Sequence, residues 1–565
     1  MLKRSLPFLV VALLIGIAAA ACGPAQTEEP KPVESPPAEA TSPPEEKPPE
    51  AEPVILRVGG AAAPDCMNPF GCSTHWYWNY LAYEGFFGGG PRCDTFPRLA
   101  KSWEVSDDGL TWTLHLQENA RFTDGTPFTA QVAADYMNWF RSTSLKEWYY
   151  EAFYATDVKA LDDYTVQLTL EVPVMTFPKY NGRWWWILPP AIWSGLTEDT
   201  IYTFEDLPDG TGPYDLVEFK PGEYLIYEAK PDYYLGKPPV DRIVYQIYAN
   251  WDSAIQALIG GDIDLTFAET PTQYISALEG YPDIVVERRP PGPAKSLTFN
   301  MYAGGSKHPA IEDPLLREAI DYAIDKQKIL DVGLEGYGIL CPTNWACGPN
   351  FEDELNPDLE VTPYDPAKAN QILDEAGYKD TDGDGVRETA DGKPLDFRLY
   401  IAVEAPDDLT IADLTKQMLS AVGITATISS LESGTLWKTQ LGDRDFDMVL
   451  TDVSTDYDAA YLDYVASCWS ADAGESALNV SGYCSEEVDE LVYKYMTTPV
   501  REEAMGYIFE AQAKLNRERP YIFLAAADIV EAYRTDRFEF PAPGESCDMN
   551  PGYWNWPLIL SVKPK

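Results

Sequence analysis

The run from Leu99 to Phe140, LAKSWEVSDDGLTWTLHLQENARFTDGTPFTAQVAADYMNWF, leaves its backbone few choices. Trp103 and Val105 alternate with polar neighbours, and Asp107-Asp108-Gly109 supplies a turn. Leu110, Trp112, Leu114 and Leu116 then alternate with Thr111, Thr113, His115 and Gln117. An apolar residue at every second position lines one face of a strand, so the pattern predicts a hairpin with one buried face. Asp124-Gly125 marks a second turn and Thr129 is placed to cap a helix. Val132, Tyr136 and Phe140 follow at helical spacing beside Ala133 and Met137. A hairpin that feeds a helix through a short loop is a scaffold element, and it presents no catalytic group.

The chain around this element is long enough, at 565 residues with 45% hydrophobic and 13% aromatic side chains, for a large core and more than one lobe. Lys3 and Arg4 precede an apolar run from Leu6 to Ala21 that ends in small residues, which is the layout of an export signal over residues 1–21. Ala19-Ala20-Ala21-Cys22-Gly23 resembles a bacterial lipobox, in which Cys22 is lipidated and becomes the new N-terminus. The alternative is simple signal cleavage. Residues 22–53 are rich in Pro and Glu, with ten prolines after Cys22 and almost nothing apolar, and read as an extended tether. Nine cysteines minus Cys22 leave eight, an even number in an oxidising compartment. Short separation favours Cys341 with Cys347 and Cys468 with Cys484, whereas Cys66, Cys72, Cys93 and Cys547 cannot be paired from sequence. The formal charge of −48 argues against nucleic acid or an anionic membrane surface as a partner and reads as a solvated exterior.

LAKSWEVSDDGLTWTLHL followed by ARFTDGTPFTAQ resembles the signature of the family 5 extracellular solute-binding proteins, the dipeptide and oligopeptide receptors of ABC importers. Further similar blocks follow in order. They are Tyr83-Glu84-Gly85, ILPPAIW ending at Trp193, TGPYDL from Thr211, PDYYLGKP from Pro231, ALIGGDIDL ending at Leu265, LTFNMY from Leu297 and DYDAAYL from Asp456. The resemblance covers Val54 to Lys565. It implies an α/β, two-lobed periplasmic-binding-protein-like (type II) fold with an enlarged, discontinuous first lobe and a hinge. Lobe 1 would hold residues 54–300 and 526–565, and lobe 2 residues 301–525. It further implies a monomeric, non-enzymatic receptor without a required cofactor, anchored to the outer face of the cell membrane, periplasmic or at the cell surface. Such a receptor delivers a peptide or oligosaccharide to ABC permease subunits.

The same resemblance nominates ligand-binding residues. Asp456, with Tyr457 beside it, matches the position where peptide-binding members hold the ligand's α-ammonium by a charge-assisted hydrogen bond. Tyr83, Glu84 and Gly85 lie in a segment that borders the cleft in the family. Trp184, Trp185 and Trp186 cannot all point one way on a strand and are expected to divide between core and cleft or surface. Lys230 stands where the family often has Asn, Val453 near its usual Trp, and Ala459 in place of its usual Pro.

Local patterning fills in the remainder. Val54 to Gly60 reads as a strand, Asp313-Pro314 and Asp365-Pro366 begin helices, and short strands over Asp396–Ile401 and Asp447–Thr451 alternate with helices, as in an α/β lobe. Asp380 to Asp391, DTDGDGVRETAD, carries the EF-hand ligand spacing: Asp380, Asp382 and Asp384, the Val386 carbonyl, Glu388, and Asp391 at position twelve. A structural calcium ion is one reading and a solvated Asp/Gly turn the other. His75, His115 and His308 lie outside any hydrolase or zinc signature. Ninety acidic residues leave a secreted polysaccharide-degrading enzyme as the reading from another class, although no spacing points to one.

Overall fold

The Leu99–Phe140 pattern folds as its spacing dictates. Trp112, Leu114 and Leu116 on the strand Thr111–Leu116 are buried, while Thr111, Thr113 and His115 between them are partly open. Thr129 Oγ1 accepts a hydrogen bond from the Val132 N–H at 3.3 Å and so caps the helix Ala130–Phe140. The strand Ala100–Val105 departs from clean alternation, because it is the edge of an antiparallel four-stranded sheet and leaves Val105 exposed. The remaining strands of that sheet are Thr165–Leu170 and Ala155–Asp162, against which the helix packs.

The structure is a computed structural model. It describes residues 52–61, 64, 66–71, 76–90, 93–148, 150–178, 185–205, 207–266, 270–289, 294–343, 354–453, 458–473, 478–540 and 561–565. The proposed leader and the tether as far as residue 51 therefore lie outside the described residues, and Pro53–Lys565 forms one compact unit. Among the described residues no helix is long and apolar enough to cross a membrane.

Two larger sheets organise this unit. The first has seven strands in the order Ile284–Arg289, Ile529–Arg534, Leu265–Thr266, Ile55–Gly60, Arg242–Ile247, Tyr224–Ala229 and Tyr214–Lys220. Ile55–Gly60 runs parallel to both of its neighbours. This sheet and the four-stranded one share a continuous core that includes Leu56, Val58, Trp78, Trp112, Phe140 and Trp185.

The second sheet has six strands: Gly338–Ile339, Tyr521–Ala527, Ala294–Phe299, Met448–Val453, Asp396–Ala402 and Thr425–Leu431. Leu297, Phe299, Leu399 and Ile401 face the helices Pro314–Ala323, Pro366–Ala376 and Pro406–Ser420. Ala294, Val453 and Phe523 pack instead with the helices Glu486–Thr497 and Arg501–Glu518. Helices on both faces make this an α/β lobe. Asp313 and Asp365 cap their helices through the N–H groups of Leu315 and Lys368, each followed by a proline in the first turn. Each fully buried Leu or Ile on these faces contributes about 1.5–3 kcal/mol relative to exposure.

The chain passes from the first sheet to the second between Arg289 and Ala294 and returns at Asp528. These passages lie a few residues from the boundaries at 300 and 525 read from the sequence. Ala294 is level with Val453 on one side and Ala526 on the other, so one end of the second sheet faces both crossings. The result is a two-lobed α/β fold of the type II periplasmic-binding-protein class, with a first lobe made of discontinuous segments and a hinge of two crossings.

Candidate functional site

The hinge is built from charged groups. Arg288, just before the first crossing, donates from Nε to Asp528 Oδ2 at 3.0 Å, and its guanidinium lies 4.4 Å from the centre of the Tyr337 ring. The Asp528 N–H donates to the Tyr337 carbonyl at 3.2 Å, so one arginine ties both crossings to the second lobe. Beyond the first crossing, the nearly buried Lys295 donates to Asp408 at 2.8 Å and lies 2.8 Å from Asp452. Asp407 adjoins this group and Thr272 of the first lobe lies beside it. Burial pushes the Asp408 carboxyl up to about 6, while the two carboxylates at Lys295 hold its ammonium well above the ordinary lysine range against the opposing effect of burial. Sequence reasoning missed this cluster, whose one local signal is a lysine inside the otherwise uncharged strand AKSLTF.

The lobes also touch elsewhere. The Met175 N–H, in the turn after the four-stranded sheet's last strand, donates to the Met496 carbonyl on the helix Glu486–Thr497 at 3.0 Å. The rings of Tyr154 and Tyr493 lie 6.3 Å apart across the same boundary.

The Tyr83-Glu84-Gly85 segment is interior. Tyr83 and Trp186 stack at 6.1 Å, Trp186 meets Tyr80 edge-on at 4.8 Å, and Trp185 packs among Phe86, Phe140 and Phe177. Tyr83, Trp185 and Trp186 are all less than a tenth exposed. These three side chains pack in the core, one of the places among which the tryptophans were expected to divide. The backbone at 185–188 is covered on both sides, so successive tryptophans that face opposite ways both end in core. Glu84 is buried too. Its Oε1 accepts from the Tyr233 and Tyr234 hydroxyls at 2.6 and 2.9 Å, with Arg98 Nη1 at 3.7 Å. Burial raises its pKa, partly offset by Arg98 and the two phenols. Gly85 is buried beside it. The TGPY block seals the same segment: the Gly212 N–H donates to the Ala82 carbonyl at 2.8 Å, and a Cβ on Gly212 would sit 2.5 Å from the Leu81 carbonyl oxygen. Lys230, which stands where Asn was expected, donates to the Gly210 carbonyl at 2.5 Å and pairs with Asp215 at 3.2 Å.

Trp184, Asp456, Tyr457 and Cys22 lie outside the described residues. The chain that flanks 454–457 is firmly held. Val453 ends a central strand, and Asp458 accepts from the Ala460 N–H and the Tyr495 hydroxyl at 2.8 and 2.9 Å.

The acidic loop brings together carboxylate oxygens of Asp380, Asp382, Asp384 and Glu388, all within 4.8 Å of one another, a donor set suited to a hard cation. Several of these oxygens also serve the loop itself. Asp380 accepts from the Gly383 and Gly385 N–H groups, Asp384 from the Val386 N–H, and Glu388 from Thr381. Asp391 is not in the group; it accepts from the Thr389 hydroxyl on the far arm of the turn. Its expected ligand role is corrected accordingly, because the chain reverses between Thr389 and Lys393. Cys468 and Cys484 form a disulfide, and Cys66 and Cys341 are disulfide-bonded as well.

Comparison with known proteins follows the same lines. The family described as "Bacterial extracellular solute-binding proteins, family 5 Middle" matches residues 94–473. The probable ABC transporter periplasmic-binding protein SapA of Escherichia coli (strain K12) is 25% identical over 471 residues, covering 78% of this chain and 80% of its own. Di/tripeptide-binding protein 2 of Pseudomonas aeruginosa (strain UCBPP-PA14) is 25% identical over 520 residues, covering 86% and 92%. Among solved structures, a periplasmic oligopeptide-binding protein from Thermotoga maritima with bound mannohexaose superimposes with a TM-score of 0.79 at 21% identity, over 91% of this chain and 99% of that one. With two sheets joined by two crossings and a family match over most of its length, the chain belongs to the family 5 bacterial extracellular solute-binding proteins.

Proposed function

We propose that this chain is the solute receptor of an ABC importer, which captures a peptide-like solute between its lobes and delivers it to the membrane permease. It works as a monomer held at the outer face of the membrane through a lipid on Cys22, and it performs no catalysis. Lobe 1 comprises the seven- and four-stranded sheets and lobe 2 the six-stranded sheet. One observation carries the reading: the strand Met448–Val453 ends level with the crossing at Ala294, so the segment that bears Asp456 begins at the hinge end of lobe 2. A carboxylate there, shielded from water on lobe closure, suits a ligand ammonium. The di/tripeptide-binding relative supports a peptide ligand.

A charged hydrogen bond in such a cleft is worth about 1.5–3 kcal/mol. Asp456→Ala is therefore expected to weaken peptide binding by about tenfold or more with the fold intact, measured by calorimetry. N-acetylated peptides should bind the unmutated protein poorly for the same reason. Equal binding of free and N-acetylated peptides removes the ammonium role. A second reading, an oligosaccharide ligand, is favoured by the Thermotoga maritima structure with mannohexaose. Mass spectrometry of solutes released on denaturing the purified protein separates the two, and recovery of cleaved product from an intact probe would establish an enzyme instead. The loop over Asp380, Asp382, Asp384, Val386 and Glu388 is proposed as a structural calcium site.

A further inference from the structure

The turn Asp458–Tyr461 is held by side chains from two distant parts of the chain. The Ala459 N–H donates to Glu354 Oε2 at 3.2 Å, across 105 residues. The Tyr495 hydroxyl, on the helix Glu486–Thr497, donates to Asp458 Oδ1 at 2.9 Å, and the Ala460 N–H donates to the same oxygen at 2.8 Å. The Tyr461 N–H closes the turn on the Asp458 carbonyl at 3.0 Å. Burial, with the Asp458 and Glu354 carboxylates beside it, pushes the Tyr495 phenol well above its ordinary range, so this hydroxyl keeps its proton and remains a donor.

Glu354 is itself fixed. Its side chain is 1% exposed, and Arg501 Nη2 reaches its Oε1 at 3.5 Å from a more open position. Its carbonyl accepts from Gln512 Nε2 at 2.7 Å, while Gln512 Oε1 accepts from the Asn356 N–H at 2.8 Å. Gln512 and Arg501 belong to the helix Arg501–Glu518, so this helix holds the glutamate and the glutamate holds the turn. A buried carboxylate is a costly group with which to hold one backbone N–H. In return it gives the turn a single, bonded geometry.

The turn also lies close in sequence to the hinge end of the second lobe. Asp458 follows Val453 by five positions, which is at most about 18 Å of extended chain, and Val453 is level with Ala294 at the first crossing. A charge-assisted hydrogen bond weakens steeply when donor or acceptor is displaced, so a recognition residue depends on how firmly its own chain is anchored. We propose that Glu354 and Tyr495 are positioning residues for solute capture, which anchor the turn Asp458–Tyr461 and with it the chain that bears Asp456. The proposal rests on the receptor reading, in which Asp456 meets the solute's ammonium, and adds the groups that hold it to its task.

The test uses the full purified chain and calorimetry with tri-alanine and N-acetyl-tri-alanine. In the unmutated protein the free peptide is expected to bind about tenfold more tightly or better. Glu354→Ala should bring that ratio close to one by weakening tri-alanine and leaving the acetylated probe as it was. Glu354→Gln keeps an oxygen for the Ala459 N–H and should restore the ratio. Tyr495→Phe removes only a hydroxyl and should lower the ratio a few-fold, which carries the test if Glu354→Ala fails to fold. A merely structural role predicts instead a lower melting temperature and equal losses for both probes. That result, or a ratio untouched by Tyr495→Phe and Glu354→Ala in a protein that does discriminate, overturns the proposal and leaves the receptor reading standing. Equal binding of the two probes by the unmutated protein removes the ammonium reading, and this proposal with it.

Discussion

At Lys295 one ammonium serves two carboxylates, Asp408 and Asp452, with Asp407 close by and Glu335 also within electrostatic reach of Asp407. Removing the cation leaves carboxylates in a poorly hydrated site, so Lys295→Met should destabilise the protein by about 3–5 kcal/mol in a urea titration. Asp408 has the opposite sign. Its pKa of about 6 lies above the usual carboxylate range, so the folded protein holds this proton more tightly than the unfolded chain does between about pH 4 and pH 6. Asp408 therefore subtracts stability at neutral pH and regains it as pH falls through 6. The difference in melting temperature between Asp408→Asn and the unmutated protein should move in favour of the variant as pH rises from about 5 to about 7.5. A difference that stays flat with pH excludes a raised Asp408. A reader of the sequence sees Lys295 in its strand, but its partner Asp408 lies 113 residues away and reaches it only through the packing of the helix Pro406–Ser420.

Elements whose cause is local were legible. The hairpin around Asp107–Gly109, the Thr129 cap and the Asp-Pro helix starts each depend on residues within a few positions of one another. Thr129→Ala should accordingly cost about 1 kcal/mol, read from chemical denaturation. The packing of Tyr83, Trp185 and Trp186 was not legible, because whether the second side of a short extended segment faces core or cleft is decided by the layers that cover it, here the helix Ala130–Phe140 and the turn Trp76–Leu81. The acidic loop sits between these cases. Its spacing gathers four carboxylates, as an ion site requires, and leaves Asp391 aside. If calcium binds, chelator should lower the melting temperature of the unmutated protein, and Asp382→Ala should abolish that sensitivity. An unchanged melting curve in chelator leaves a turn.

For the whole molecule, the two passages between the large sheets lie between Arg289 and Ala294 and at Asp528. Arg288, Asp528 and Tyr337 cross-brace those passages. Asp528→Ala should speed amide hydrogen exchange at the hinge ends of the strands Ala294–Phe299 and Tyr521–Ala527 while leaving the helix Ala130–Phe140 unaffected. Exchange unchanged at both strand ends would show that the brace is dispensable. A second joint, the contact between Met175 and Met496, joins main chain to main chain. That one hydrogen bond does not depend on side-chain identity, and among the common substitutions at 175 only proline deletes the donor. Side chains along this boundary can thus be exchanged while the main-chain joint between Met175 and Met496 is kept, so the joint is insulated from changes in side-chain chemistry around it.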